Sequence, residues 1–304
     1  MDFGKIKDVS KVDFSLPTEP SGNTDTWQQL GPTKTTPKIY IGSARWSEKS
    51  LLGKLYPHGT VQKDYLYHYA RQFNTVEMNT THYRIPTQVA VDQWTTKVPA
   101  YFKFCPKVPQ SISHSHDFGE AYRASSLFQH SLRAFGGTLG LSFMQLPPTF
   151  GPYQQGKELF TYLEKWPGDL PLAIEFRHPE WFADPRITRR TFDLLRELAL
   201  SSVITDTAGR RDVVHMQVCN ARQAVRFVGN SLHPTDYSRI DAWIDRIGLW
   251  LEQGLRELYF FVHQPEEHLC VDLSIYLIHQ LNEQLSLDLQ APRVVRQAVQ
   301  KRLF

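Results

Sequence analysis

Short apolar, β-prone runs recur along this chain, and most are followed by a longer segment whose apolar positions return with a helical period. The runs are KIYIGS (38–43), NTVEMN (74–79), YFKFCPK (101–107), TLGLSFMQ (138–145), LPLAIEFR (170–177), SSVITD (201–206), QAVRFVG (223–229) and LYFFVH (258–263). Helices are expected near 62–72, 87–97, 122–135, 156–165, 187–199, 236–253 and 272–285. The link around 211–221 is less regular and leaves room for one short helix. Strands this apolar are covered on both faces, which is the habit of a parallel sheet. Eight strands alternating with helices over about 250 residues predict an α/β chain folded as a (β/α)8 TIM barrel. A doubly wound open sheet is the alternative, but the first run leads into GSARWS and not into a Gly-rich phosphate loop.

Outside the barrel the pattern changes. Residues 1–37 read as an irregular N-terminal arm, punctuated by Pro17, Pro20, Gly22, Gly31, Pro32 and Pro37. The single barrel domain is expected over 38–290. In 291–304, Arg293, Arg296, Lys301 and Arg302 alternate with Val295, Ala298 and Val299 as a basic amphipathic tail.

Side chains two apart on a strand share a face. Glu77 pairs in this way with Asn79, Glu175 with Arg177, and Lys103 with Cys105 and Lys107. The intervening Val76, Met78, Phe102, Phe104, Ile174 and Phe176 suit packing against helices, so the charged set is expected inside. The expected cluster is Glu77, Glu175 and Asp206 with Lys103, Arg177 and Arg226. Unpaired buried charge costs several kcal/mol per ion, so such groups either pair into a plug or face a ligand-binding mouth. In a barrel that mouth lies at the carboxyl ends of the strands.

Composition narrows the partners. The chain has 304 residues, with 34 Lys+Arg against 31 Asp+Glu, a formal net charge of +3. That balance implies neither a strongly acidic nor a strongly basic partner. Cys105, Cys219 and Cys270 offer no CxxC pair or disulfide framework, and no stretch has the apolar length of a signal or a membrane span. A cytoplasmic setting is the expectation. The basic spots, including Arg186, Arg189 and Arg190, fall on helical segments, where charge usually faces solvent; nucleic acid is disfavoured as a partner.

Several chemistries can be weighed. Retaining glycosidases of this fold use acids at the ends of strands four and seven, where this chain has Gln145 and Arg226. A metal site could draw on Glu77, Glu175, Asp206, His178 and His263, but the adjacent bases oppose a cation, and no metal is assigned. His114 and His116 form an HxH pair in a loop, a weak signal. Cys105 beside Lys103 and Lys107 could be a nucleophile, although a lone strand cysteine is more often core. The least strained reading is acid–base chemistry by Glu77, Glu175 and Asp206, with His178 as a shuttle. Trp46, Asn79, Tyr83, Lys107, His114, Gln145, Arg177, Arg226 and His263 would bind a small polar or anionic molecule. No cofactor motif is evident. The alternatives are a non-catalytic metabolite-binding protein and a metal-dependent or nucleic-acid-associated hydrolase.

The ordered blocks IGSARWSEKSLLGKLYP (41–57), FNTVEMNTTHYRIP (73–86), FKFCPKVPQSISH (102–114), FMQLPPTF (143–150), AIEFRHPEWF (173–182) and ITDTAG (204–209), with RFVGN and YSRIDAWIDRI more weakly, carry a resemblance. The chain resembles the YecE-like family, domain of unknown function 72, over roughly residues 38–285. The resemblance implies a TIM barrel and no particular reaction. The sequence departs from the family pattern after His114 and at Thr81 and His82. The arm and the segment VHQPEE (262–267) resemble one branch of the family only.

Overall fold

The computed structural model describes residues 4, 6–32, 35–115 and 118–295, with backbone alone at 119 and 120. All eight expected runs are strands. They are β1 (Lys38–Ser43), β2 (Thr75–Met78), β3 (Lys103–Pro106), β4 (Ser142–Gln145), β5 (Leu172–Glu175), β6 (Ser201–Asp206), β7 (Arg222–Val228) and β8 (Glu257–His263). The helices among the described residues are α1 (Asn23–Leu30), α2 (Tyr65–Tyr69), α3 (Gln88–Thr95), α4 (Gln110–Ser113), α5 (Phe118–Ala134), α6 (Pro152–Leu163), α7 (Glu180–Ala183), α8 (Pro185–Glu197), α9 (Pro234–Gln253) and α10 (Glu267–Leu285).

Every ladder is parallel. One runs β1-β8-β7-β6-β5-β4 and a second joins β2 to β3. Two seams complete the ring. At β3/β4, Gly140 N donates to Phe104 O at 2.7 Å and Val108 N to Phe143 O at 2.8 Å. At β1/β2 side chains take over. Asn74 Oδ1 accepts from Ile41 N and its Nδ2 donates to Ile39 O, both at 2.8 Å. The Tyr69 hydroxyl accepts from Ser43 N at 2.8 Å and donates to Thr75 O at 3.2 Å. A Cβ at position 42 would lie 2.1 Å from Thr75 O, so only glycine allows the two strands to approach this closely.

Alternation along the strands separates two cores. Tyr40, Cys105, Leu141, Phe143, Ala173, Val203, Ala224, Tyr259 and Phe261 point inward and fill the lower barrel. Tyr40 and Tyr259 stack there with ring centroids 4.6 Å apart. The opposite parity packs on the helices; Val225, Phe227 and Phe260 meet Trp243, Ile244 and Ile247 of α9. Each such side chain contributes roughly 1.5–3 kcal/mol by leaving water.

The arm is not wholly irregular. Its segment NTDTWQQL forms α1 although it shows little apolar period. Hydrogen bonds hold it: Asn23 Nδ2 donates to Met216 O at 2.7 Å, Asn23 Oδ1 accepts from Val218 N at 2.9 Å, and Thr26 Oγ1 donates to Val218 O at 2.7 Å. After β6 only a 3-10 turn at Arg211–Val213 precedes β7, and α1 covers that connection. In the tail, Arg296, Ala298, Val299, Lys301 and Arg302 lie outside the described residues, as does His116. No helix among the described residues is long and apolar enough to cross a membrane.

Candidate functional site

A charged layer rests on the apolar floor at the carboxyl end of the barrel. β2 supplies Glu77, β5 supplies Glu175 and β7 supplies Arg226, all inward by the parity that puts Ala173 and Ala224 inside. Each is buried. Arg226 Nε and Nη2 donate to Glu77 Oε2 and Oε1 at 2.8 and 2.9 Å, and its Nη1 donates to Glu175 Oε2 at 3.0 Å. Arg177, just past β5, donates through Nε to Glu175 Oε1 at 2.6 Å. Gln145 on β4 donates to Glu175 Oε2 at 2.9 Å and accepts from Lys107 Nζ at 2.8 Å. Asn79 Nδ2 donates to Glu77 Oε1 at 2.8 Å, and His263 Nε2 lies 3.1 Å from Glu77 Oε2. Eight of the expected site residues thus form one continuous network: Glu77, Asn79, Lys107, Gln145, Glu175, Arg177, Arg226 and His263.

Among the described residues of this network, two carboxylates, Glu77 and Glu175, face three bases, Lys107, Arg177 and Arg226. Burial works against both carboxylates, but the guanidinium groups outweigh it. Arg177 and Arg226 bring Glu175 down to about 2, and Arg226 with His263 holds Glu77 well below the usual range. Lys107 is the odd member. Among the described residues no carboxylate pairs with it, and its contact is the Gln145 amide oxygen. Burial, followed by the repulsion of Arg226, pushes its ammonium down to about 8. Next to it, burial lowers His82 to about 4 and lowers His114, and Lys107 and Arg177 push both further the same way. The His82 and His114 rings stand 5.2 Å apart.

Other expected residues sit elsewhere. Asp206 does not join Glu77 and Glu175. Val203 faces inward and Ile204 outward, so Asp206 also points outward, toward α9. There it accepts from Trp243 Nε1 at 2.8 Å and pairs with Arg239 at 2.9 Å and with Arg211. Arg211 Nη2 in turn reaches Phe14 O and Ser15 O at 3.2 Å, which ties Asp206 to the arm. His178 also lies on the outward parity, and its Nδ1 accepts from Glu180 N at 3.2 Å at the start of α7. Trp46 packs edge-on against Trp94 and Phe104, and Tyr83 is 76% exposed beside His82. Lys103 is at the opposite end of the barrel, bonded to Gly137 O. Cys105 lies beneath the charged layer, where burial raises its thiol to about 12, unsuited to a thiolate nucleophile. Trp181 is buried, with its Nε1 donating to Phe150 O at 2.8 Å.

Sequence reasoning missed two residues at this layer. Thr205 is the inward neighbour of Arg226 in the β6/β7 register, and its Oγ1 is buried without a hydrogen-bond partner among the described residues. His82 is buried beside Lys107, and its Nδ1 donates to Val108 O at 3.0 Å. No local signal marked Thr205, because Val203 and Ile204 before it are both apolar and leave the strand's inward face open. For His82, the signal was its place immediately after β2.

A family model described as a protein of unknown function, DUF72, matches residues 40–297. The chain belongs to the DUF72 family. The curated relative YecE of Escherichia coli (strain K12) is 28% identical over 265 residues, covering 81% of this chain and 92% of its own. YunF of Bacillus subtilis (strain 168) is 28% identical over 154 residues, 48% of this chain and 53% of that one. Among solved structures, a DUF72 protein of Enterococcus faecalis V583 superposes with a TM-score of 0.64 at 22% identity, over 83% of this chain and 99% of that one. A DUF72 protein of Thermotoga maritima MSB8 gives 0.61 at 20% identity, over 82% and 100%. These likenesses share the fold and carry no activity with them.

In this DUF72 chain the family-like blocks and the charged layer coincide. FNTVEMN brings Glu77 and Asn79, FCPK brings Lys107, FMQ brings Gln145, and AIEFR brings Glu175 and Arg177. Among the described residues, no three His, Cys, Asp or Glu side chains converge so as to hold a metal ion. Asp206 and His178, two members of the ligand set considered from sequence, stand apart from Glu77 and His263 for the reasons given above.

Proposed function

We propose that this DUF72 barrel is an enzyme that holds a small anionic molecule at its carboxyl-end mouth and moves a proton on it. The observation that carries the reading is the unbalanced charge at Lys107. A buried ammonium with no carboxylate partner among the described residues, next to Arg177 and two neutral-leaning histidines, favours an anion brought from outside.

The geometry divides the labour. Glu77 and Glu175 are fixed anions that orient Arg226 and Arg177, because their low pKa values leave them without a proton at neutral pH. Lys107 changes charge near neutrality and is suited to proton transfer. His263 touches Glu77, which sets the direction of its ring. The Thr205 hydroxyl offers a further bond to a polar substrate group.

The test is to incubate the wild type, Lys107→Met and Glu175→Gln with a pool of small metabolites and follow depletion by mass spectrometry. A carboxylate or phosphate compound consumed by the wild type and spared by both variants supports the reading. A compound retained by the wild type without turnover would point to a binding protein using the same mouth. Depletion unaffected by either substitution would place the chemistry elsewhere.

A further inference from the structure

The anion-site reading leaves Lys107 with a chemistry that pairing alone does not use. We infer that Lys107 is a nucleophilic amine that forms a Schiff base with a small carbonyl acid, a molecule carrying an aldehyde or ketone close to a carboxylate or phosphate. This rests on the proposed function and names its substrate class.

Three features of placement support it. First, Lys107 lies at the end of β3 with its side chain turned into the barrel, and the residue is only 5% exposed. Second, its polar neighbour is an amide oxygen and not a carboxylate. Gln145 is held by its Nε2 bond to Glu175, so its Oε1 stays aimed at Nζ. An amide oxygen positions the amine without stabilising the ammonium as a carboxylate would. Third, two guanidinium groups stand near it, both committed to Glu175 and, for Arg226, to Glu77. A lysine that is desolvated and beside other cations is an activated one. The lowered pKa agrees with this: between 10.5 and about 8, the neutral fraction at pH 7 rises by on the order of 10²-fold.

The step balances. The neutral Nζ lone pair forms a bond to the carbonyl carbon while the C=O π electrons move to oxygen, which takes a proton. The carbinolamine then loses that oxygen as water, which carries away the two amine hydrogens in total and leaves C=N. The anionic group of the same molecule falls to Arg177 and His114, the cationic and hydrogen-bonding groups on the β3 and β5 side of the mouth. Glu175 and Glu77 remain ionised throughout and keep the cations in place.

The full chain incubated with glyoxylate and sodium borohydride tests the assignment. Borohydride delivers hydride to the imine carbon and solvent protonates nitrogen, so the adduct becomes a stable secondary amine. Peptide mapping is expected to find the reduced adduct at Lys107, at least tenfold above any exposed lysine at pH 7, and absent in Lys107→Arg. Should Lys107→Arg fail to fold, acetate as an unreactive competitor serves instead and is expected to suppress labelling at Lys107 alone. Glyoxylate binding without reductant is measured in parallel by calorimetry. Binding with no adduct at Lys107 would overturn the Schiff base and leave the anion site standing. Neither binding nor adduct would overturn both, and adducts spread evenly over surface lysines would overturn the special reactivity.

Discussion

Arg226 grips both oxygens of Glu77, at 2.8 and 2.9 Å, in a two-pronged pairing fully enclosed by the barrel. The same guanidinium reaches Glu175 on the far side. One side chain therefore ties β2, β7 and β5 together above the apolar floor. Buried pairs of this kind add little compared with apolar packing but are costly to break from one side. Arg226→Met takes the shared guanidinium from both carboxylates, leaving Glu77 with Asn79 and His263 and Glu175 with Arg177 and Gln145, and is expected to lose roughly 3–5 kcal/mol in denaturant unfolding. The double variant Arg226→Met with Glu77→Gln should recover part of that loss, since fewer charges are stranded.

Acid sensitivity follows from the same network. Glu175 has a folded pKa of about 2 against 4.5 in its ordinary state. A depressed carboxylate stabilises the fold fully above its unfolded pKa and loses that contribution as pH falls through the folded value. Stability is therefore expected to decline between about pH 4.5 and 2, with Glu77 contributing in the same direction. Glu175→Gln should flatten part of this decline when unfolding free energy is measured against pH.

Lys107 gives a slope of the same sign at high pH. Its ammonium is disfavoured in the fold, by burial first and then by Arg226 and Arg177, while Glu175 and Glu77 offset part of the effect. Below pH 8 both folded and unfolded states are protonated and the penalty is complete. From about 8 to 10.5 the unfolded chain holds more protons, so stability rises with pH. Lys107→Met should abolish that rise, as read from denaturation midpoints across the same range.

The arm provides a separate test. The Phe14 ring lies under the Arg239 guanidinium at 4.7 Å and near that of Arg211 at 5.4 Å, and Asp206 pairs with both arginines. Phe14→Ala removes this contact and is expected to cost on the order of 1–2 kcal/mol and to expose residues 6–16 to limited proteolysis. The barrel fragment should remain resistant.

Much of the fold was readable because the strands announce themselves as short apolar runs between helical periods. The inward set was readable wherever a polar residue alternates with an apolar one: VEM fixes Glu77 and IEF fixes Glu175. SSVITD offers no such rule. Val203 and Ile204 are both apolar, so nothing local says which faces the barrel, and alternation alone allows Asp206 either face. His178 failed for a related reason, since one residue beyond Arg177 is the opposite parity. The helix α1 was hidden because tertiary hydrogen bonds from Asn23 and Thr26 hold it in place of an apolar stripe. For Trp46 and Tyr83, residue type alone does not separate a packed ring from an exposed one.

The Lys107 ammonium, with no carboxylate partner among the described residues, is what an anion at the mouth would answer. Calorimetric titration of the wild type and Lys107→Met with small carboxylates and phosphates, each matched to an uncharged analogue of similar shape, measures it directly. An anion site at Lys107 predicts saturable binding of at least one anion by the wild type, at least tenfold weaker binding of its uncharged partner, and a comparable loss in Lys107→Met. Equal binding of charged and uncharged compounds, or anion binding untouched by the substitution, would contradict it.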